Sequence, residues 1–128
     1  MPELPEVETV KSYVERRILG KKVTKTKVLN SKLRWPIDKG RMKNITGKTI
    51  SKVTRRGKYI LVELESSVLI IHLGMTGAVS FKKINEYKKQ KHDHLLIYFG
   101  NFILVYNDVR KFGSIHITED LKSMFLLK

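Results

Sequence analysis

The shortness of the apolar runs is the feature that most constrains the fold of this 128-residue chain. The two longest runs, Leu95–Phe99 and Phe102–Tyr106, have five residues each and are separated by Gly100-Asn101. Runs of this length suit buried β-strands, and a glycine-containing pair between them suits a hairpin turn. They fall far short of the roughly 20 residues that a membrane-spanning helix needs. The second half of the chain is therefore predicted to form antiparallel β-structure.

Other strands are predicted on both sides of these two runs. A period-two alternation begins at Lys21 and places Thr24, Thr26 and Val28 on one face of a first strand. The later β-type segments are Ile50–Thr54, Tyr59–Glu65, Val68–His72, Ala78–Phe81 and Ser114–Ile117. Residues 55–58 lie between the first two of these segments and are predicted to form a hairpin turn with glycine at the bend.

Two stretches do not follow the strand pattern. Residues 30–44 contain proline, aspartate and glycine, which predicts irregular structure around a short helical turn. Residues 82–91 are rich in lysine and are predicted to be exposed. Near the end of the chain, Thr118 is suited to cap a final helix.

One amphipathic helix is predicted before the strands, over residues 4–19. Its apolar side chains recur at three- and four-residue steps, at Leu4, Val7, Val10, Val14 and Ile18. Pro5 suits the first helical position, Glu6 and Glu8 suit the positive end of the helix dipole, and Gly20 is a suitable stop. One helix followed by many short strands predicts an α+β fold, in which the N-terminal helix joins a two-layered antiparallel β-sandwich with flanking helices. No linker or repeat divides the chain, so a single domain over residues 1–128 is expected.

The charge of the chain indicates a polyanionic partner. With 26 Lys and Arg against 12 Asp and Glu, the net charge is +14 and the isoelectric point is near 10.1. On a folded chain this is typical of nucleic-acid binding, although a basic, soluble surface or a ribosome-associated protein would show it too. Residues 1–20 carry a net charge of −1, so this segment is expected to have a role other than phosphate contact.

Cysteine is absent from the chain, which excludes a disulfide framework, a thiol nucleophile and a cysteine zinc site. The N-terminus is rich in glutamate and has no apolar segment, so neither a secretory signal nor a transit peptide is predicted. We therefore expect a soluble, cytoplasmic protein without membrane association.

The first residues offer a nucleophile. Removal of Met1 would leave Pro2 with a secondary amine, and α-amino groups have a pKa of about 7.7–8.0, so a neutral fraction exists at cellular pH. Such an amine can attack an electrophilic sugar carbon, and Glu3 beside it could exchange protons with the reacting groups. On periodicity alone, a purely structural role at the start of the helix explains Pro2 and Glu3 better than a catalytic role, because prolines and glutamates are common at helix starts.

The order of the first nine residues favours the catalytic role instead. The start Met-Pro-Glu-Leu-Pro-Glu-Val-Glu-Thr closely resembles the start of the bacterial formamidopyrimidine-DNA glycosylase family, which excises oxidised purines from DNA. Leu4 favours this branch over the related endonuclease VIII branch, which usually has glycine there. Further segments resemble the family in the same order, namely Leu33–Pro36, Arg55–Tyr59 with His72–Met75, and Lys91–His94 leading to Asp108–Gly113.

The resemblance implies catalytic roles for four residues. Pro2 would attack C1′ of the damaged nucleoside and form a Schiff base, with Glu3 as the acid and base for base loss and sugar opening. Glu6, one helical turn along, would help to organise the amine. Lys58 would act on the lesion or sugar and assist β-elimination, whereas without the resemblance it would be one more surface lysine.

The resemblance also implies DNA-binding roles. Met75, Arg110 and Phe112 match the family residues that fill the space left when a nucleotide swings out of the duplex. Taken singly, each residue has a simpler explanation: Met75 as a loop methionine, Arg110 as a phosphate-binding arginine and Phe112 as a core phenylalanine.

His92 matches a DNA-backbone contact of the family. His92 and His94 would point the same way on a strand and could mimic a metal pair, but two histidines are a weak zinc signal. No metal site is predicted, and His94 is expected to be structural.

The chain departs from the family in its length. Relatives continue into a helix–two-turns–helix segment and a four-cysteine zinc finger, so the chain is expected to be the N-terminal catalytic domain alone, without a cofactor. Its expected partner is double-stranded DNA containing oxidised purines or abasic sites, bound by a monomer. Two functions remain open: a DNA glycosylase and abasic-site lyase impaired by truncation, or a non-catalytic DNA-binding remnant of a split or decayed gene.

Overall fold

Eight strands pair into two antiparallel four-stranded sheets in the computed structural model, which describes residues 3–119. The helices are α1 (Leu4–Ile18) and α2 (Lys39–Lys43), and Ile84–Glu86 forms a 3₁₀ turn. The strands are β1 (Lys25–Val28), β2 (Lys52–Arg56), β3 (Tyr59–Leu64), β4 (Ser67–His72), β5 (Gly77–Lys83), β6 (Asp93–Phe99), β7 (Phe102–Asp108) and β8 (Ser114–Thr118). Sheet I has the order β1-β6-β7-β5, and sheet II has the order β2-β3-β4-β8. The predicted α+β sandwich is confirmed.

Helix α1 closes one open side of the sandwich. It packs against β2 and β3 of sheet II and against β5 of sheet I, and β2 and β5 are the edge strands on that side. Val7, Val14 and Ile18 lie on its buried face, as the apolar periodicity predicts. The Tyr13 hydroxyl accepts a hydrogen bond from the Phe81 N–H of β5 at 2.9 Å. The helix thus covers apolar side chains and also satisfies a donor on a sheet edge.

The main hydrophobic core lies between the two sheets and beneath α1. It contains buried residues of both sheets and of the segments that precede β2, among them Ile37, Met42, Ile60, Leu95 and Leu104. Within residues 3–119, every buried polar side-chain atom has a hydrogen-bond partner. In the same part of the chain, no helix combines the length and the apolarity needed to cross a bilayer.

Several predicted boundaries are wrong for local reasons. The β2–β3 turn has two residues, Gly57 and Lys58, instead of four, because Arg55 and Arg56 continue β2 and pair with β3. Gly57 has φ of 59°, a left-handed value that glycine adopts without steric cost. The strand predicted from Lys21 begins only at Lys25.

The lysine-rich stretch is exposed, as its composition predicts, at every residue except Tyr87. Lys82 and Lys83 belong to β5, and Tyr87 is half-buried although its neighbours are exposed. Thr118 is the last residue of β8, and the final helix that it was expected to cap lies outside the described residues.

Candidate active site and nucleic-acid interface

Strand register brings three loops to one end of sheet II. Tyr59, at the start of β3, pairs with His72, at the end of β4, and His72 pairs with Ser114, at the start of β8. The Lys58 turn, the loop after His72 and the loop before Ser114 therefore emerge side by side.

Sheet I brings its own loops to the same place. Gly77 begins β5 and pairs with Asp108 at the end of β7. The loop from β4 to β5 and the loop from β7 to β8 therefore both connect sheet II with sheet I at this end. The Asp108 N–H donates to the His92 carbonyl at 3.0 Å, which places His92 here as well. We call this end of the sandwich the loop end. It carries Lys58, Met75, His92, Arg110 and Phe112.

The start of α1 is tied to the Lys58 turn by an arginine. Arg55 Nε donates to Glu8 Oε1 at 2.9 Å, and Arg55 Nη1 donates to the Gly57 carbonyl at 2.8 Å. The hydrogen bond from Arg55 holds the pKa of the Glu8 carboxyl below its usual value. One guanidinium thus joins the second turn of the helix to the hairpin turn that carries Lys58.

Glu3 and Glu6 occupy the first turn of the helix. Glu3 is the N-cap residue of α1, and its N–H donates to Glu6 Oε1 at 3.5 Å. Both side chains are exposed. Pro2, the predicted nucleophile, lies outside the described residues and directly precedes Glu3 in the chain.

Glycines let the two loops that carry Met75 and Phe112 pack backbone to backbone. A Cβ on Gly74, which has φ of 62°, would lie 2.5 Å from the Gly113 nitrogen and from the Phe112 carbonyl carbon. A Cβ on Gly113 would overlap the Tyr106 hydroxyl. No side chain larger than hydrogen fits at either position, so this contact requires glycine on both loops.

A buried carboxylate binds the same two loops together. Asp108 is fully buried, and its Oδ1 accepts from the Thr76 hydroxyl at 2.7 Å and from the Lys111 N–H at 3.1 Å. Its Oδ2 accepts from the Tyr106 hydroxyl and from the Gly113 N–H, both at 2.9 Å. Burial and the neighbouring carboxylate raise the pKa of Tyr106, which keeps this phenol a donor. The sequence pattern did not single out Asp108, although it begins one of the family-like segments.

These loops present an exposed apolar pair, and a cation lies against one of its two side chains. The side chains of Met75 and Phe112 are 45% and 44% exposed, although both are large and apolar. The Arg110 guanidinium lies 4.9 Å from the centre of the Phe112 ring, in cation–π contact. Apolar side chains of this kind can enter between base pairs, and a guanidinium can hydrogen-bond a base edge.

The histidines differ from one another in their surroundings. His94 is fully buried, with Nε2 2.8 Å from the Asp108 carbonyl and Nδ1 3.2 Å from the Asn30 carbonyl, which fits the predicted structural role. The expected same-face pairing with His92 is wrong, because a β-bulge lies between Asp93 and Leu95 and His92 precedes β6.

His72 is the last residue of β4. Its side chain is half-buried at the loop end, with its ring 5.0 Å from that of Tyr59. Its Nδ1 accepts from the Gly74 N–H at 3.2 Å. This histidine therefore supports the loop that carries Met75, and its place directly before Leu73-Gly74-Met75 is the sequence signal for that role.

A lysine-bearing turn leads into His92. Asp93 is buried and accepts from the Tyr87 hydroxyl at 2.7 Å, the Gln90 N–H at 2.9 Å and the Asn107 amide at 2.9 Å. We call residues 87–92 the basic turn, since it exposes Lys88, Lys89 and Lys91. Within residues 3–119 no carboxylate forms an ion pair with these lysines.

Comparison with known proteins identifies the family. Residues 1–115 match the family described as formamidopyrimidine-DNA glycosylase N-terminal domain. The chain belongs to this family. Formamidopyrimidine-DNA glycosylases of Paraburkholderia xenovorans and Cellvibrio japonicus are 42% and 43% identical to the chain over 117 and 115 residues. Each match covers 90% of this chain and 42% of the relative.

Crystal structures of a formamidopyrimidine-DNA glycosylase from Lactococcus lactis have the same fold. The complex with DNA containing an abasic site matches with a TM-score of 0.89 at 36% identity, over 98% of this chain and 49% of that chain. The complex with DNA containing Fapy-dG matches with a TM-score of 0.87 at 37% identity, over 98% of this chain and 48% of that chain. The chain therefore spans less than half the length of these relatives.

The donor set for the zinc finger that the resemblance implies is not present in this sequence. That site needs four cysteines, and the 128 residues contain none, so the residues present do not fit it. Among residues 3–119, no group of three or more histidine, aspartate or glutamate side chains is placed to hold a metal ion.

Proposed function

We propose that this chain acts in DNA repair as the catalytic domain of a formamidopyrimidine-DNA glycosylase. It would excise oxidised purines, such as formamidopyrimidines and 8-oxoguanine, and cleave the strand at abasic sites. The observation that carries the proposal is the junction, through Arg55, of the start of α1 with the turn that carries Lys58. Through this junction, Glu3 as the potential acid and base would lie near the Lys58 ammonium group at the loop end.

The proposed chemistry begins at the N-terminal amine. After removal of Met1, the nitrogen of Pro2 forms a bond to C1′ while the C1′–base bond breaks and the base leaves with the electron pair. The nitrogen then loses its proton to water, and Glu3 protonates O4′ as the sugar ring opens, which leaves an iminium ion, the charged Schiff base of a secondary amine. Loss of a C2′ proton then expels the 3′ phosphate by β-elimination, with Lys58 assisting. These steps need no cofactor.

The DNA-facing residues would make C1′ accessible. A base inside the duplex must be extruded before the amine can reach the sugar, at a cost of roughly a few kcal/mol of stacking and pairing. Met75 and Phe112 would occupy the vacated space, and Arg110 would hydrogen-bond the base left without a partner. His92 and the basic turn would contact phosphates. Complexes of the Lactococcus lactis relative with abasic-site DNA and Fapy-dG DNA support this choice of ligand.

A cleavage assay tests the proposal. A monomeric preparation of the chain should nick a duplex that contains one abasic site, and the product should carry the 3′ end left by β-elimination. Glu3→Gln should reduce this nicking by about 100-fold, the usual size of an acid–base contribution. Glu86→Gln, which changes an exposed glutamate on the 3₁₀ turn, should leave it unchanged.

Binding without catalysis is the second candidate. It is favoured by one observation: the basic turn exposes three lysines that form no ion pair with a carboxylate within residues 3–119, an arrangement that suits phosphate binding and needs no catalytic group. In that case the protein would bind abasic-site DNA with the expected preference and nick it no faster than Glu3→Gln does. As a bacterial repair protein or its remnant, the chain would act in the cytoplasm.

A further inference from the structure

Thr76 joins the two loops that carry the exposed apolar pair. Its hydroxyl donates to Asp108 Oδ1 at 2.7 Å and accepts from the Arg110 N–H at 2.9 Å. The direction of each bond follows from the partners, because the Arg110 N–H can only donate and Asp108 Oδ1 accepts from the Lys111 N–H as well as from the hydroxyl. One hydroxyl therefore connects the residue that follows Met75 to the backbone of Arg110.

The two bonds differ in their surroundings. Asp108 is fully buried and also accepts from two backbone N–H groups and the Tyr106 hydroxyl. These hydrogen bonds hold its carboxylate in one position. Arg110 is exposed, and water can hydrogen-bond its N–H if the hydroxyl is removed. Loss of the Thr76 hydroxyl should therefore release Arg110 without unfolding the loops, since Gly74 and Gly113 keep their backbone contact.

The Arg110 backbone sets the point from which its side chain reaches the Phe112 ring, 4.9 Å from the guanidinium. The following residue, Lys111, has φ of 62°, a left-handed value that is unfavourable for a side chain, and its N–H is held by Asp108. Two successive N–H groups are thus held by the Thr76–Asp108 pair: the Arg110 N–H donates to Thr76, and the Lys111 N–H donates to Asp108. Fixing the loop before DNA arrives reduces the ordering entropy lost on binding.

We infer that Thr76 and Asp108 are positioning residues that hold Arg110 beside Met75 and thereby set the preference of the chain for DNA with an extruded nucleotide. The inference rests on the proposed function, because it assumes that Arg110 and Met75 face the vacated space. It extends that function to two residues that would act through Arg110.

A matched pair of variants at one position tests the inference. Thr76→Val keeps the shape of the side chain and removes both hydrogen bonds, whereas Thr76→Ser keeps the hydroxyl. The measurement is the ratio of the Kd for undamaged duplex to the Kd for duplex with a tetrahydrofuran abasic-site analogue, which the protein cannot cleave. Thr76→Val should lower this ratio by about tenfold, the effect of losing one to two hydrogen bonds. Thr76→Ser should retain the wild-type ratio, and all three proteins should bind undamaged duplex equally.

Three results would overturn the inference: a wild-type ratio in Thr76→Val, an equal loss of binding to both duplexes, or a wild-type chain without preference. Because this readout is binding alone, it is independent of catalysis. A wild-type chain that shows the preference but nicks no abasic DNA would contradict the proposed chemistry and leave the positioning role intact.

Discussion

Arg55 and Glu8 form an ion pair at 2.9 Å between the second turn of α1 and the last part of β2. Because Arg55 also donates to the Gly57 carbonyl, the pair controls the distance between the helix start and the Lys58 turn. The pair lies at the surface, so we expect its main effect on geometry and only a small effect on stability.

The first prediction concerns the pH dependence of this pair. Its hydrogen bond to Arg55 lowers the pKa of Glu8 in the folded state, so the pair stabilises the fold at neutral pH. That contribution is lost as the pH falls through the lowered pKa. The difference in Tm between wild type and Glu8→Gln should therefore be present at pH 7, begin to shrink as the pH falls below the ordinary glutamate pKa of about 4.3, and disappear once the pH is below the lowered pKa. Glu86→Gln should show no such pH-dependent difference, and a constant difference for Glu8→Gln from about pH 7 to about pH 3 would contradict the assignment.

The second prediction separates geometry from charge at the same pair. Arg55→Lys keeps a cation near Glu8 but cannot donate to Glu8 and to the Gly57 carbonyl in the fixed geometry of a guanidinium. We expect Arg55→Lys to slow nicking of abasic-site DNA while leaving its Kd within about twofold of wild type. Lys52→Arg, on the exposed face of the same strand, is the control. If kcat is unchanged in Arg55→Lys, the pair does not position Lys58.

The third prediction concerns the stability that Asp108 provides. In Asp108→Asn the amide can accept at one atom only, which leaves at least one donor unsatisfied, and a buried unsatisfied donor costs roughly 1–3 kcal/mol. The free energy of unfolding in urea should therefore fall by about 3 kcal/mol when two donors are affected. Asn85→Asp, at an exposed position on the 3₁₀ turn, should leave the free energy of unfolding within error of wild type. A decrease below the error of the measurement would show that Asp108 does not organise the loops.

The fourth prediction concerns the basic turn and salt. Replacing its three exposed lysines by alanine, as Lys88→Ala, Lys89→Ala and Lys91→Ala together, should make the log–log salt dependence of DNA binding shallower. The expected change in slope is about 0.9 for each phosphate that the variant no longer neutralises. Binding should weaken equally for damaged and undamaged duplex, because phosphate contacts carry no lesion information.

A second triple variant controls for net charge. Lys25 pairs with Tyr98, close to the β6–β7 turn at the far end of the sandwich, and lines a surface groove with Lys39 and Lys43. Replacing these three lysines by alanine removes the same charge and should change the salt slope less. Equal slopes in the two triple variants would show that only the total charge matters.

Much of the fold follows from local patterns in the sequence. The apolar periodicity of α1 and the hairpin runs around Gly100 each reflect short-range physics, and both are confirmed. The β-bulge at His94 is different, because an extra residue in β6 depends on the partner strand β7. The predicted turn wrongly includes Arg55 for a similar reason: its place in β2 depends on pairing with Ile60.

In the candidate site, too, local sequence segments predict some residues, whereas others depend on strand pairing. The family-like segments named Lys58, Met75, His92, Arg110 and Phe112, and the structure places all five at the loop end. The hydrogen bonds that hold them, from Thr76 and Tyr106 to Asp108, were not predicted. Thr76 and Asp108 are 32 residues apart, and neither type of residue signals burial. Only the register of β5 against β7 brings them together.

The central claim is that Pro2 supplies the nucleophile, and borohydride trapping tests it most directly. The chain is incubated with abasic-site duplex and sodium borohydride, and the cross-linked peptide is identified by mass spectrometry. We predict a reduced covalent adduct on the N-terminal peptide at Pro2, and a strong decrease of adduct in Pro2→Gly. An adduct that persists in Pro2→Gly and maps to a lysine, or the absence of any adduct at saturating protein, would contradict the claim.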